Sequence, residues 1–208
     1  YLGLIGYNID KVKFNLLVPL KSIDDLNNAS GKIFYYGNHT DKIKLELKLG
    51  RDLAYLLGWY VGDGCKSNGK KNPHRFSLCI GKDKKYYLKR IKNSIRRSLD
   101  CNIILEEKGS DAIVHFNSLS FELLLKKINL YGKRASEKFI PDVVFNLKEE
   151  QQVCFLKGLL QSDGSLVAGK KRYKESKFVI DHTTTSKKLA EGTVFLHRQL
   201  GLLPSITK

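Results

Sequence analysis

An internal repeat constrains this chain more than any other feature. LLGWYVGDG (56–64) and LKGLLQSDG (156–164) are apolar runs that both close on Asp-Gly, with Asp63 and Asp163 100 positions apart. Each run reads as an apolar helix that ends in an acidic residue. The longest such run, 53–61, is well short of the roughly 20 residues needed to span a bilayer. Gly58 and Gly62 are four apart, as are Gly158 and Ser162, so each pair lies on one helical face. Small residues at that spacing let two helix backbones approach more closely than the usual ~8–10 Å. Packed along those faces, the helices bring Asp63 and Asp163 together at two C-termini that already carry partial negative charge. A divalent cation resolves the repulsion. Carboxylate oxygens, with the backbone carbonyls of Gly62 and Ser162, suit Mg²⁺, and such an ion can clamp a phosphodiester and activate water.

The repeat extends beyond the helices. In the first unit (51–150) the pattern predicts a strand over 75–81, a helix over 84–99, strands over 102–107 and 112–116, and a helix over 120–132. The second unit (151–208) superposes 177–201 on the first strand and helix at an offset of 102. Its last residues, LLPSITK, correspond to the start of the strand NIILEE, so the second unit reads as about 40 residues short of the first. Residues 1–50 stand outside the repeat, with strand-like segments over 32–36 and 42–49 and a short helix beginning at Ser22. The chain holds no methionine, even at position 1, and reads as an excerpt of a longer polypeptide.

Charge selects the partner class. Thirty-seven Lys and Arg against 21 Asp and Glu leave a net +16, which favours a polyanion through counterion release. No basic amphipathic helix points to a membrane surface, and the N-terminus lacks the pattern of a signal peptide. The four cysteines, at 65, 79, 101 and 154, have neither CxxC nor histidine spacing. They read as reduced thiols of a cytosol-like compartment.

The two runs resemble the paired motifs of the LAGLIDADG homing endonucleases, in the form found in intein-encoded enzymes. Lys138-Phe-Ile-Pro141, the link KEEQQVCFLKG (148–158), and HTTTSKKLAE (182–191) followed by RQLGLLP (198–204) agree with it. The resemblance covers 51–208. It implies an α+β fold of two pseudo-symmetric αββαββα repeats, the motif helices at the centre and saddle-shaped antiparallel sheets over DNA, within a pseudo-dimeric monomer. It further implies that Asp63 and Asp163 hold metal at the scissile phosphates. The basic catalytic residue before Ile-Pro maps to Lys138; its symmetric partner would lie beyond residue 208. The strands absent from the second unit would come from further residues or another chain. Self-splicing is not expected, because position 1 is Tyr and the last residues are Ile-Thr-Lys. Residues 1–50 are then a remnant of a splicing domain or a DNA-contacting arm.

The implied partner is double-stranded DNA and the implied activity a Mg²⁺-dependent staggered double-strand cut in a long site. Strand ribbons read base edges in the major groove. The candidate readers are Arg75, Ser77, Cys79, Glu107 and His115 in the first unit, with Lys177, Val179 and Asp181 in the second. Lys66, Lys70 and Lys71 are candidates for phosphate contacts. Two other readings stay open: a LAGLIDADG-fold DNA- or RNA-binding protein without cleavage, such as a regulator or maturase, and a basic structural protein whose repeat only builds a core.

Overall fold

The structure, a computed structural model, describes residues 13–15, 33–35, 42–44, 46–67, 74–168 and 178–207. Four short strands come first: β1 (Lys13–Asn15), β2 (Ile33–Tyr35), β3 (Lys42–Lys44) and β4 (Glu46–Lys48). They pair antiparallel as β1–β4 and β2–β3. The single strand expected over 42–49 is therefore shared between two sheets. Leu47 and Leu49 pin its second part by burial in the core. The helix expected from Ser22 lies outside the described residues.

Helix α1 (Arg51–Asp63) buries every residue from Leu53 to Val61. All-round burial explains why this run has no polar face. Gly64 leaves α1 in an extended conformation, straight into strand β5 (Gly64–Lys66). A Cβ at Gly64 would stand 2.6 Å from the Tyr60 carbonyl oxygen, so only glycine allows the abrupt helix-to-strand passage.

Strand β6 (Arg75–Ile80) is followed by a 3₁₀ turn (Lys82–Tyr87), α2 (Leu88–Leu99), β7 (Ile103–Lys108), β8 (Asp111–Asn117) and α3 (Leu119–Lys127). The strands form one antiparallel sheet in the order β5-β6-β8-β7. Its inner face carries Phe76, Leu78, Ile80, Val114 and Phe116 into the core. There Tyr60, Phe76, Phe116 and Phe121 make ring contacts at 5.1–6.0 Å, several of them edge-on. These pairings add to simple area burial. The helix expected over 120–132 ends at Lys127, because Asn129 turns left-handed (φ 59) and redirects the chain. The helix expected over 84–99 starts as the 3₁₀ turn, so only its last 12 residues are α-helical.

Helix α4 (Asp142–Phe145) leads to α5 (Glu149–Asp163), strands β9 (Gly164–Ala168) and β10 (Phe178–His182), and α6 (Lys187–Gln199). Strands β9 and β10 form a two-stranded antiparallel sheet, in place of the four strands of the first unit. Ile180 and Leu166 pair across it on the face that corresponds to the first unit's core. They are 62% and 66% exposed, because among the described residues no further strand or helix covers them.

A buried ionic cluster secures α3 to β6. Glu122, only 4% exposed, accepts from Lys126 at 2.7 Å and contacts His74 Nδ1 at 2.8 Å. Burial pushes this carboxyl up, but the hydrogen bonds and charges of Lys126 and His74 outweigh it and hold it below the usual range. A carboxyl depressed in the folded state stabilises above its unfolded pKa, and the benefit is lost as pH falls through its folded value. Glu122→Gln is therefore expected to cost about 2 kcal/mol in urea melts at pH 7. That difference should shrink toward zero in acid.

Candidate metal and nucleic-acid site

Glycine allows the two motif helices to touch backbone to backbone. A Cβ at Gly58 would lie 2.0 Å from the Phe155 carbonyl oxygen, and one at Gly158 would lie 2.1 Å from that of Tyr55. The reciprocity is that of a twofold axis between α1 and α5. One turn further on, a Cβ at Gly62 would meet Ser162 Oγ at 1.9 Å and Asp163 Cβ at 3.2 Å. The small-residue faces expected from Gly58, Gly62, Gly158 and Ser162 thus form the contact, and they bring Asp63 beside Asp163.

The electrostatics of this junction are uneven. Burial first, then the Asp163 charge, pushes the Asp63 carboxyl up to about 6, against the pull of Lys84 and Lys138. Asp163 goes the other way. The His182 imidazole, with Nε2 3.5 Å from Asp163 Oδ2, holds that carboxyl below its usual range.

Neither motif helix has a basic residue in its last turn; lysines from elsewhere supply the missing charge. Lys138, 6% exposed, donates from Nζ to the carbonyl oxygens of Tyr60 at 3.0 Å, Gly62 at 2.9 Å and Gly64 at 2.8 Å. An ammonium has three N–H donors, and all three are used at the negative end of α1. Burial lowers its pKa, opposed chiefly by Asp63. Lys84, on the 3₁₀ turn of the first unit, donates across the helix pair to the carbonyl of Ser162. The carbonyls of Gly62 and Ser162, expected to face a metal, each accept from a lysine, which leaves one lone pair on each beside the two carboxylates. Lys138 is also tied to the second unit, since Ser186, the N-cap of α6, donates to its backbone carbonyl at 2.6 Å. Lys138→Met would take a donor from each of these three carbonyls, of which that of Tyr60 still accepts from the Gly64 N–H. A loss of about 1–3 kcal/mol is expected in urea melts without added cation.

The expected DNA readers occupy different faces. Registers Arg75↔Asn117, Ser77↔His115 and Cys79↔Ile113 put these residues on the outer face of the four-stranded sheet. Cys79 is exposed and Arg75 half-buried. Ser77 and His115 are nearly buried and bonded to each other at 2.8 Å, and His115 Nε2 meets Glu106 Oε2 at 2.8 Å. Glu107 stands opposite Ala112 on the inner side, so Glu106 is the β7 carboxylate of the outer face. Lys66 stands opposite Phe76, also on the inner side, and its ammonium bonds the Tyr131 hydroxyl. In the second unit Asp181 and Val179 are exposed on β10. Lys70, Lys71 and Lys177 lie outside the described residues.

Sequence reasoning missed Lys84, Glu106 and His182. Nothing marks Lys84 among 37 basic residues, whereas the break from alternation at Asp181-His182 was a usable signal. Among the described residues no three His, Cys, Asp or Glu side chains gather closely enough to hold an ion alone. Two side chains and water is the habit of Mg²⁺, and the paired carboxylates fit it.

Two glycine-faced helices with acidic ends, each running into an antiparallel sheet, define the LAGLIDADG fold. Comparison with known proteins agrees: residues 150–208 match the family described as LAGLIDADG-like domain. The fold also superposes on mesophilic variants of the homing endonuclease I-DmoI, with TM-score 0.51, 15% identity and 76% and 82% of the two chains covered. The homing endonuclease I-WcaI bound to its DNA recognition sequence gives TM-score 0.52 at 19% identity, covering 76% and 72%. Among curated proteins, an uncharacterized protein of Methanocaldococcus jannaschii, MJ1054, is 29% identical over 197 residues, 92% of this chain and 22% of that protein. The replication factor C small subunit of the same organism is 28% identical over 188 residues, 80% of this chain and 9% of its own length. The chain thus spans less than a quarter of these relatives. Among the described residues no helix is long and apolar enough to cross a membrane.

Proposed function

We propose that this chain is the nuclease module of a site-specific homing endonuclease, cutting both strands of a long DNA target with a divalent cation. The observation that carries the proposal is the pair of aspartates held together by backbone contact between α1 and α5. A core-only repeat has no use for two carboxylates at adjoining negative helix ends. A cation held by Asp63 and Asp163 would supply Lewis-acid stabilisation and an activated water at the phosphodiester. The protein's own groups do the rest. Lys138 and Lys84 are positioning residues that neutralise the helix ends and draw the carboxylates by charge, while the outer sheet face and the net charge of +16 attract DNA. The structurally similar I-WcaI is bound to its DNA recognition sequence, which supports the same partner here.

An intein origin is supported by the hosts. Similar segments make up 9% of a replication factor C small subunit and 8% of a Thermococcus DNA polymerase. One small module inside two differently named replication proteins is the pattern of a mobile insert. One observation favours the second reading, DNA binding without cleavage: Lys138 has no N–H left to steady a water. A randomised duplex library with Mg²⁺ or Mn²⁺ decides between them. Defined double-strand breaks are expected; salt-sensitive binding with no cut at any cation concentration, by this chain and by a longer one that completes the second unit, establishes the binder.

A further inference from the structure

The two halves differ at one matched position beside the aspartates. On β6, Leu78 stands opposite Gly64, the residue after Asp63. On β10, His182 stands opposite Gly164, the residue after Asp163. Leu78 is fully buried, as an inner-face position requires. The His182 side chain is almost as buried, at 7% exposure, and its Nε2 has no hydrogen-bond partner. A leucine evidently serves the fold at this place. A buried polar atom needs a partner, and the long approach to Asp163 is the one interaction the described residues give it.

What Nε2 faces is Asp163 Oδ2, 3.5 Å away. That is too long for a well-formed hydrogen bond. It matches the bite of two ligands on one ion, since bonds of about 2.0–2.1 Å at a tetrahedral angle put the donor atoms about 3.4 Å apart. We propose that His182 and Asp163 together form a nitrogen–oxygen cation site in the second half, which takes a borderline transition ion such as Mn²⁺, Co²⁺ or Zn²⁺. At the position matched to His182 the first half carries Leu78, which has no ligand atom. Imidazole favours such ions over Mg²⁺, for which all-oxygen sets suffice. The two metal positions are then chemically unequal, one of them selective. The inference rests on reading the aspartate junction as a cation site, but it assigns a ligand that the junction alone does not.

The test is a Co²⁺ titration of the full 208-residue chain followed by visible absorption, with Mg²⁺ affinity taken from competition. It compares the wild type with His182→Leu, which copies the first half, and with His182→Gln, Asp163→Asn and Asp63→Asn. Losing the histidine is expected to weaken Co²⁺ by about tenfold or more while Mg²⁺ affinity moves much less. Pulsed EPR of the Mn²⁺-loaded wild type is expected to show imidazole nitrogen coupling, lost in the His182 variants. Because that signature is read on the wild type, it still decides if both His182 variants misfold. Wild-type Co²⁺ affinity in the His182 variants, or no nitrogen coupling in the wild type, overturns the inference while the cation site stands. Cation binding that is absent, or indifferent to both aspartate substitutions, overturns the cation site and the inference with it.

Discussion

Asp63→Asn and Asp163→Asn are each expected to lower site-specific cleavage by at least about 10²–10³-fold, yet to act unequally on the cation-free protein. Asp63 is largely buried and repelled by its neighbour, which is why its carboxyl is pushed up to about 6. Above that pH the folded state carries an ill-favoured charge. The amide removes it, so Asp63→Asn should melt at a higher temperature than the wild type when no cation is present. Asp163→Asn removes the same repulsion but also the carboxylate that His182 supports at 3.5 Å, and its gain should be smaller or reversed. Saturating cation should restore the usual order, because an ion bound only by the native state stabilises it by mass action. Calorimetry with and without Mg²⁺ checks both halves of the statement. A wild type that melts above Asp63→Asn in chelator would show that the carboxylates do not oppose folding.

Gly58→Ala is expected to be the most damaging single methyl in the protein. Its Cβ would stand 2.0 Å from the Phe155 carbonyl oxygen and 2.9 Å from the Leu159 nitrogen. Ordinary contact lies roughly 1.5 Å further out, and both obstacles are backbone, so no rotamer change relieves them. The helices must separate along their length, at a cost of more than about 3 kcal/mol, and the aspartates separate with them. Gly158→Ala meets the same geometry in mirror image and should cost as much. The double variant should cost far less than the sum, since helices already forced apart have room for the second methyl. Gly62→Ala is milder, because its nearest obstacle is the Ser162 side chain at 1.9 Å; Ser162→Gly should rescue it by moving the missing side chain to the other helix. Urea melts measure all of these, and additive losses at Gly58 and Gly158 would refute the shared interface.

The long elements of the repeat were legible because their physics is local. Burial on all sides makes α1 continuously apolar over 53–61, the matched Asp-Gly ending marks α5, and period-two alternation marks β6 and β8. Boundaries were less legible where one residue decides them. Asn129 ends α3 through its own backbone conformation, a choice that leaves no periodic trace. The strand over 42–49 read as one because alternation reports which face is buried, not which neighbour supplies the hydrogen bonds.

Asp63, Asp163 and the four small residues of the helix contact could be named from the sequence alone, because two copies in equal register make coincidence improbable. The surroundings of the carboxylates could not. Lys138 belongs to a loop 75 residues beyond Asp63, and that its three donors face inward to α1 rather than outward to a substrate depends on how that loop docks. Lys84 reaches the Ser162 carbonyl from the other unit, and His182 reaches Asp163 from the neighbouring strand. Ser77 and His115 lie on the expected face, but their pairing with each other and with Glu106 follows from strand register. Sequence thus determined which residues repeat, and with them the helix pair and its acidic ends. Tertiary structure alone decided which charges meet there, because a periodic pattern encodes burial whereas hydrogen bonds and ion pairs join side chains far apart along the chain.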